Sequence, residues 1–298
     1  MRIAAFNGFP FHDEMFGFII YFCQLHNYEL TIYCRTDVYN DYMDFYKFHF
    51  KDFKFTIYDC KLFTLQRYNF DYIFLITDDD PNYSDTDPFI NFKTIRLDHS
   101  PQIRRDKIEK AIAVRPFPDN YRKWAIPCFP ILYSNLKCNL INSLDEIHIV
   151  ILGSNHGRYN VSVINRIIPP KDSKIIIHAI SRSITEDDFV GLDCKFNLCI
   201  YKNIFATNLI NLLKKAHYAL TDISLDTYEK EIMSGVIPLA FSTLTPLIIS
   251  AQSNKYYNFK NVIVFDKHSE DTIQLTHVNI NELETERQYL MDMFRSYF

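Results

Sequence analysis

Short apolar runs rich in Ile, Val, Phe and Tyr alternate with stretches of helical spacing, and the alternation starts, breaks and starts again. The first series has runs at Ile3–Phe6, Glu29–Cys34, Phe53–Tyr58, Asp71–Ile76, Lys93–Leu97 and Ile112–Val114, with a helical pattern over Asp13–Leu25. Most of these runs are apolar throughout, the pattern of a parallel strand covered on both faces. A loop-rich passage carrying Pro116, Pro118, Pro127 and Pro130 then interrupts the series. It resumes with strand patterns at Ile147–Leu152, Lys174–Ile180, Phe196–Tyr201, Tyr218–Leu220, Ile237–Phe241 and Val262–Phe265. Helical patterns cover Val161–Ile168, Ala206–Ala216, Thr227–Met233 and Glu282–Phe298. Two such series in tandem predict an α/β chain of two Rossmann-like domains, 1–142 and 143–298, with the boundary near Asn142. A length of 298 residues suits two cores better than one.

Composition narrows the function classes. A net charge of −4 lacks the basic excess that releases counterions from a phosphate backbone, so nucleic acid is not an expected partner. The seven cysteines form no metal-like spacing and stand singly among apolar runs, as reduced thiols of a cytoplasmic protein do. The N-terminus, MRIAAFNGFP, has no charged stretch leading into a sustained apolar one, and no apolar run is long enough to cross a bilayer. Peripheral membrane contact stays open. With 26 Phe and 20 Tyr against one Trp, the aromatics are read as core filler rather than ligand platforms.

Glycine is scarce enough for its positions to matter. Gly8 and Gly17 flank the first strand-to-helix turn, Gly153 and Gly157 lie in the matching turn of the second half, and Gly235 follows a helical pattern. Gly191 alone sits elsewhere. In open α/β sheets ligands bind at the carboxyl ends of strands, where backbone comes close to them. Ordinary turn and cap roles would also place glycines there. The loop Gly153–Arg158 is neither a dinucleotide fingerprint nor a Walker loop. It can nevertheless offer backbone N–H groups and the Arg158 guanidinium to a diphosphate.

The stretch DISLDTYEKEIMSGVIPLAFSTLT, Asp222–Thr245, resembles the nucleotide-sugar-binding segment of GT-B glycosyltransferases. That segment has a carboxylate-bearing helix, a small-residue and glycine turn, then a strand opening on Pro and an aliphatic residue. Here Glu229 and Glu231 would lie on the helix, Ser234 and Gly235 would make the turn, and IPLA would form the strand. The resemblance implies that Glu231 or Glu229 holds the donor ribose, since a carboxylate accepts two hydrogen bonds from a vicinal diol. Neither glutamate stands in the family's usual spacing to the glycine. The front end, NGFPFHDEMFG, also resembles GT-B enzymes, implying that His12 or Asp13 takes the proton from an acceptor hydroxyl. The plain alternative is that His12 packs the helix start and Asp13 caps it. The resemblance further implies two domains facing across a cleft, a diphosphate contact from Lys202, and a final helix packing back on the N-terminal half. The donor would be a nucleotide diphosphate sugar, the acceptor a glycan or other hydroxyl compound, and no metal or other cofactor would be needed.

Two further clusters compete for attention. Asp78 and Asp80 form a D-x-D after a strand, the metal-holding arrangement of GT-A transferases, though acidic loops are commonly plain solvated turns. His99 ends a strand and Arg104 lies just beyond it; with Gly8 these are candidates for the acceptor side of the cleft. His178 and His217 are read as core and helix-end residues. A non-catalytic nucleotide-sugar-binding partner protein is the remaining alternative.

Overall fold

The computed structural model describes residues 1–9, 12–36, 41–66, 69–77, 94–99, 111–116, 123–131, 145–153, 160–170, 173–221 and 234–297. The chain divides into two compact units, one built mainly from Met1–Phe129 and Leu290–Phe298, the other from Pro130–Lys230 and Ser234–Tyr289. Residue 142, where the sequence places the boundary, lies outside the described residues.

The first unit holds a parallel sheet of β1 (Arg2–Phe6), β2 (Glu29–Cys34), β3 (Phe55–Asp59), β4 (Tyr72–Leu75), β5 (Thr94–Asp98) and β6 (Ala111–Ala113). Its order is β3-β2-β1-β4-β5-β6, the Rossmann arrangement, with the direction of winding reversing between β1 and β4. The central strands are apolar on both faces because helices cover both. Ile3, Ala4, Ala5, Ile73 and Phe74 are all buried. Helix α1 (Phe16–His26) is so apolar that most of its residues are buried, and Asn27 closes it in the left-handed conformation. Gly17 in α1 is required by packing. A Cβ there would come within 2.2 Å of the Phe129 ring. Helix α2 (Asp41–His49) and the single turn α3 (Phe63–Gln66) complete the described helices of Met1–Phe129.

The second unit repeats the plan with β7 (Glu146–Leu152), β9 (Lys174–Ser181), β10 (Phe196–Lys202), β11 (Tyr218–Leu220), β12 (Leu247–Ser250) and β13 (Ile263–Phe265). Their order, β10-β9-β7-β11-β12-β13, is again parallel and reverses between β7 and β11. Ile147, Ile149, Ile151, Ile175 and Ile177 form the centre of its core with Val163, Ile164 and Ile248. Helices α4 (Val161–Asn165), α5 (Ala206–Lys215), α6 (Val236–Ser242), α7 (Ala251–Tyr257) and α8 (Ile280–Arg295) accompany it. Among the described residues no helix is long and apolar enough to cross a membrane.

Two predicted elements change type. The expected helix Val161–Ile168 stops at Asn165, and Ile167–Ile168 instead becomes a short strand, β8, paired with β14 (Ile273–Gln274). Pro169 follows directly and disfavours the helical conformation at the residue before it. The expected strand Ile237–Phe241 is the helix α6. Its seven residues are all buried, and a continuous apolar run has no periodicity to separate helix from strand. Pro238 is tolerated because it sits in the first turn, where an N–H has no intrahelical partner. The strand of this region is β12, which directly follows Pro246.

The final helix is α8, and its last turns belong to the first unit. Phe294 packs edge-on against Phe18 with ring centroids 4.6 Å apart and also meets Phe22 and Phe74. Tyr297 donates from its hydroxyl to the Trp124 carbonyl. Of the described cysteines, Cys23, Cys34 and Cys128 are buried as expected, whereas Cys194 is exposed.

Candidate functional site

In the first unit the candidate residues gather where β1 ends. Asn7 follows β1 and is fully buried. Its amide N–H continues the ladder to the Tyr33 carbonyl at 2.9 Å. Its side chain then shapes the loop: Oδ1 accepts from the Phe9 N–H, and Nδ2 donates to Asp13 Oδ1, each at 3.1 Å. Asp13–Met15 form a 3-10 turn ahead of α1, and Tyr46 of α2 donates from its hydroxyl to the carbonyls of Asp13 and Glu14. Asp13 is therefore the first residue of the turn rather than its cap. The cap position is taken by His12, whose side chain makes no capping bond.

His12 stands in the left-handed region at φ 67°, ψ 20°, a conformation that costs a non-glycine residue roughly 1–2 kcal/mol. Its Nδ1 lies 3.4 Å from Glu14 Oε1, with the two side chains 29% and 18% exposed. A carboxylate can only accept, so Nδ1 is the donor and a neutral His12 carries its lone pair on Nε2. Against the His12 ring lies that of His99, stacked at 4.2 Å with 28° between the planes. His99 is buried, and its Nε2–H donates to the Ile76 carbonyl at 2.7 Å. Beside it in β5, Arg96 and Asp98 form a buried ion pair at 2.5 Å.

The electrostatics separate the two carboxyls. Burial pushes Asp13 up to about 7, with the Asn7 hydrogen bond opposing and the Glu14 charge adding to the rise. Burial acts to raise Glu14 as well, but the hydrogen bond and charge of His12 outweigh it and leave Glu14 below its ordinary value. His99 is driven down to about 3 by burial and by His12, so it stays neutral. The cluster thus pairs an ionised Glu14 with an imidazole positioned to accept a proton. Sequence reasoning missed Asn7 and Glu14. A carboxylate two residues after a histidine at a helix start was the available signal for Glu14.

In the second unit the carboxyl ends of the strands carry Gly153 after β7, Thr221 after β11, Ser181 on β9, Lys202 on the edge strand β10, and Ser250 on β12. Gly153 still belongs to the ladder, its N–H donating to the Ile180 carbonyl at 3.0 Å. Lys202 is exposed at the end of β10, two strand spacings or about 10 Å to the side of β7. Thr221 was missed by sequence reasoning. It sits at the β7/β11 reversal, buried, with no hydrogen-bond partner for its Oγ1 among the described residues. His217 follows α5 and accepts from the His148 N–H, and His178 lies buried between His148 and Tyr201, as core and helix-end residues do.

The Glu-helix motif sits in a different register from the one read in the sequence. Ser234 and Gly235 lead into a helix rather than a strand, with Gly235 itself right-handed at φ −59°. The order of helix, turn, proline and aliphatic strand is realised by α6, Thr243–Thr245, Pro246 and β12. The left-handed turn position there is Leu244 at φ 52°, and α6 bears no carboxylate. Glu229 and Glu231 precede this helix and lie outside the described residues, as do Arg158, Arg104, Asp78 and Asp80. A Cβ at Gly8 would meet the Phe6 ring at an ordinary 3.4 Å, so packing does not demand glycine there.

No family model matches the sequence, and no curated protein matches it. Solved structures do match in fold. HepE of Anabaena, solved with UDP and glucose, aligns at TM-score 0.55 over 98% of this chain and 93% of its own, at 11% identity. AviGT4, a glycosyltransferase involved in avilamycin A biosynthesis, aligns at 0.51 over 100% and 91%, at 8% identity. A glycosyltransferase from Rickettsia africae aligns at 0.50 over 98% and 88%, at 11% identity. The chain has the GT-B fold. Both six-stranded sheets of the GT-B arrangement are present, so the resemblance drawn from Asp222–Thr245 and the front end holds at the level of architecture.

Proposed function

We propose that this GT-B chain is a glycosyltransferase that moves a sugar from a nucleotide diphosphate sugar to an acceptor hydroxyl without a metal ion. The observation that carries the reading is the His12–Glu14 pair at the carboxyl end of β1. Glu14 holds Nδ1, which leaves Nε2 to take the acceptor proton. The acceptor oxygen then bonds to the anomeric carbon as the bond to the diphosphate breaks, and the electron pair leaves with the diphosphate. His12 is the preferred base over Asp13, whose carboxyl is already committed to Asn7.

The second unit would hold the donor. The backbone at Gly153, the Arg158 and Lys202 cations and the Thr221 hydroxyl would meet the diphosphate, with Glu231 or Glu229 on the ribose. Positive groups fixed at that place stabilise the charge growing on the leaving group. HepE has been solved with UDP-glucose and with UDP, which supports a nucleotide-sugar donor for a chain of this fold. The fold favours this reading over the GT-A alternative built on Asp78 and Asp80. Glycan biosynthesis in the cytoplasm fits a chain whose described helices include none able to cross a membrane.

The test is a thermal-shift screen against UDP, GDP, dTDP and CMP and their sugars, with and without EDTA. A site-specific ligand at a hundredfold excess over its dissociation constant adds about 2.7 kcal/mol of apparent stability. A shift with one nucleotide that survives EDTA, followed by turnover of its sugar that His12→Asn abolishes, supports the reading. A shift that EDTA removes moves the donor to a metal site. No shift with any nucleotide points to a non-catalytic partner protein.

A further inference from the structure

The second sheet ends on an open edge. Its outer strand is β10, paired to β9 in unbroken register from Phe196 beside Ile175 to Lys202 beside Ser181. The Asn203 N–H donates to the Ser181 carbonyl, so the alternation of a parallel strand turns the odd-numbered residues of β10 toward β9. The backbone N–H and C=O groups of Leu198 and Ile200 therefore point away from the sheet, and among the described residues none bonds to them. Such an edge is a template for another strand, and proteins blunt it with proline, charge, a bulge or brevity. β10 (FNLCIYK) has seven residues, no proline, no break in register, and its charge at the last position. The other edge strands are shorter. β3 has five residues, while β6 and β13 have three each, and Trp124 bridges to Ala113 on β6.

Laid antiparallel on a second copy of itself, β10 is its own complement. Full overlap of the seven residues puts a two-fold axis at Cys199. Leu198 of each copy then exchanges backbone hydrogen bonds with Ile200 of the other. Cys199 meets Cys199 as a non-hydrogen-bonded pair, with Cα atoms about 4.5 Å apart. Leu198 and Ile200 already pack against the core of the second unit, and the pairing sets aliphatic beside aliphatic on that face. On the opposite face Asn197 lies across from Tyr201. The exit of one strand also meets the entry of the other. That brings Phe205, 56% exposed, to the segment bearing Val190, 78% exposed, and Lys202 to the turn bearing Asp193. An unrelated extended peptide would satisfy the backbone groups alone. The matched rims, apolar to apolar and positive to negative, are particular to a second copy.

We infer that β10 is a homodimer interface, in which two copies of this chain pair their β10 edges antiparallel about Cys199 and join two six-stranded sheets into one. One strand pair with small apolar corners lies at the low end of interface size, so dimer and monomer exchange at micromolar concentration.

The experiment is sedimentation equilibrium of the full chain under reducing conditions, from about 1 to 200 μM, where the mass should rise from monomer to dimer. Cys199 is partly exposed, so a charge there leaves the monomer intact. Cys199→Glu and Cys199→Lys each set like charges opposite one another and should stay monomeric, while an equimolar mixture of the two should regain the dimer. Ile200→Pro removes an outward N–H, spares the ladder to β9, and should also give monomer. Diamide should link two parent chains through Cys199, taking up the two thiol hydrogens as the S–S bond forms. Cys199→Ser should abolish that link, and Cys194→Ser should not. A monomer throughout the range overturns the interface. So does a dimer that withstands these substitutions, or a chain that binds an extended peptide at β10 while remaining monomeric. Where Ile200→Pro fails to fold, the Cys199 charge pair decides, because mixing restores a dimer only from folded chains.

Discussion

Asn7 donates from Nδ2 to Asp13 Oδ1 at 3.1 Å, and this bond joins the end of β1 to the turn that starts α1. Burial nevertheless holds Asp13 near 7, far above its ordinary 3.8. The folded state therefore binds this proton more tightly than the unfolded chain does. Stability from this group is fully present below about pH 4 and is lost as pH rises toward 7. Partial exposure of the side chain reduces the effect to ~1–3 kcal/mol. Asp13→Asn keeps an acceptor for Asn7 and removes the ionisation. Its denaturant midpoint should exceed that of the parent protein at pH 8, and the gap should close as pH falls below about 4. A gap that stays constant from pH 8 to below pH 4 would show that Asp13 ionises freely.

Gly17→Ala places a methyl within 2.2 Å of Phe129 Cε1, in a ring that is itself packed on Tyr46 and Phe50. Alanine would gain up to ~1 kcal/mol of helix propensity over glycine, but overpacking costs about 1–3 kcal/mol. Net destabilisation of ~1–2 kcal/mol is expected in urea unfolding. The double variant Gly17→Ala, Phe129→Leu should recover part of it, because the clash and the ring are removed together.

The two-sheet plan was legible because nearly every strand is a short apolar run bounded by turns, and β1 (IAAF) or β7 (IHIVIL) leaves little else possible. The second half of the donor segment was not legible. VIPLAFS and LIIS are both apolar throughout, and only burial on all sides of a helix tells one from the other. The turn between them uses Leu244 in the left-handed region, where a reader looks for glycine, and so drew attention to Gly235 instead. Glycine scarcity also misled in another way. Gly17 answers to a phenylalanine ring, and Gly191, set aside in the sequence, is the described glycine at positive φ. At the site, His12 and Asp13 were found by their place after β1. His99 was named by its place after a strand, but its stack on His12, across 87 positions of chain, and the contact of Glu14 with His12, across two, came into view only in the structure.

Phe294 is 4% exposed and fills the space among Phe18, Phe22 and Phe74. Phe294→Ala leaves a cavity that those three rings cannot close, and the expected loss is about 3–5 kcal/mol. Phe294→Leu should cost less than half as much. If the last turn of α8 were a loose tail, both variants would unfold at the parent midpoint.

Glu14 offers the sharpest kinetic test of the His12 arrangement. Glu14→Gln keeps an oxygen for Nδ1–H but removes the charge that favours the imidazolium formed as the proton is taken. Interactions gained mainly in the transition state lower kcat and kcat/KM together. A fall in kcat of about 10- to 100-fold with acceptor KM held near its parent value is therefore expected, against about 100- to 10,000-fold for His12→Asn. Lys202→Ala should do the converse at the donor side, raising donor KM before it touches kcat, since Lys202 lies exposed at a strand end where a ground-state diphosphate would already be bound. Steady-state rates over donor and acceptor concentration separate the two. Equal effects of Glu14→Gln on kcat and on donor KM would place Glu14 in the donor site and undo the pairing with His12.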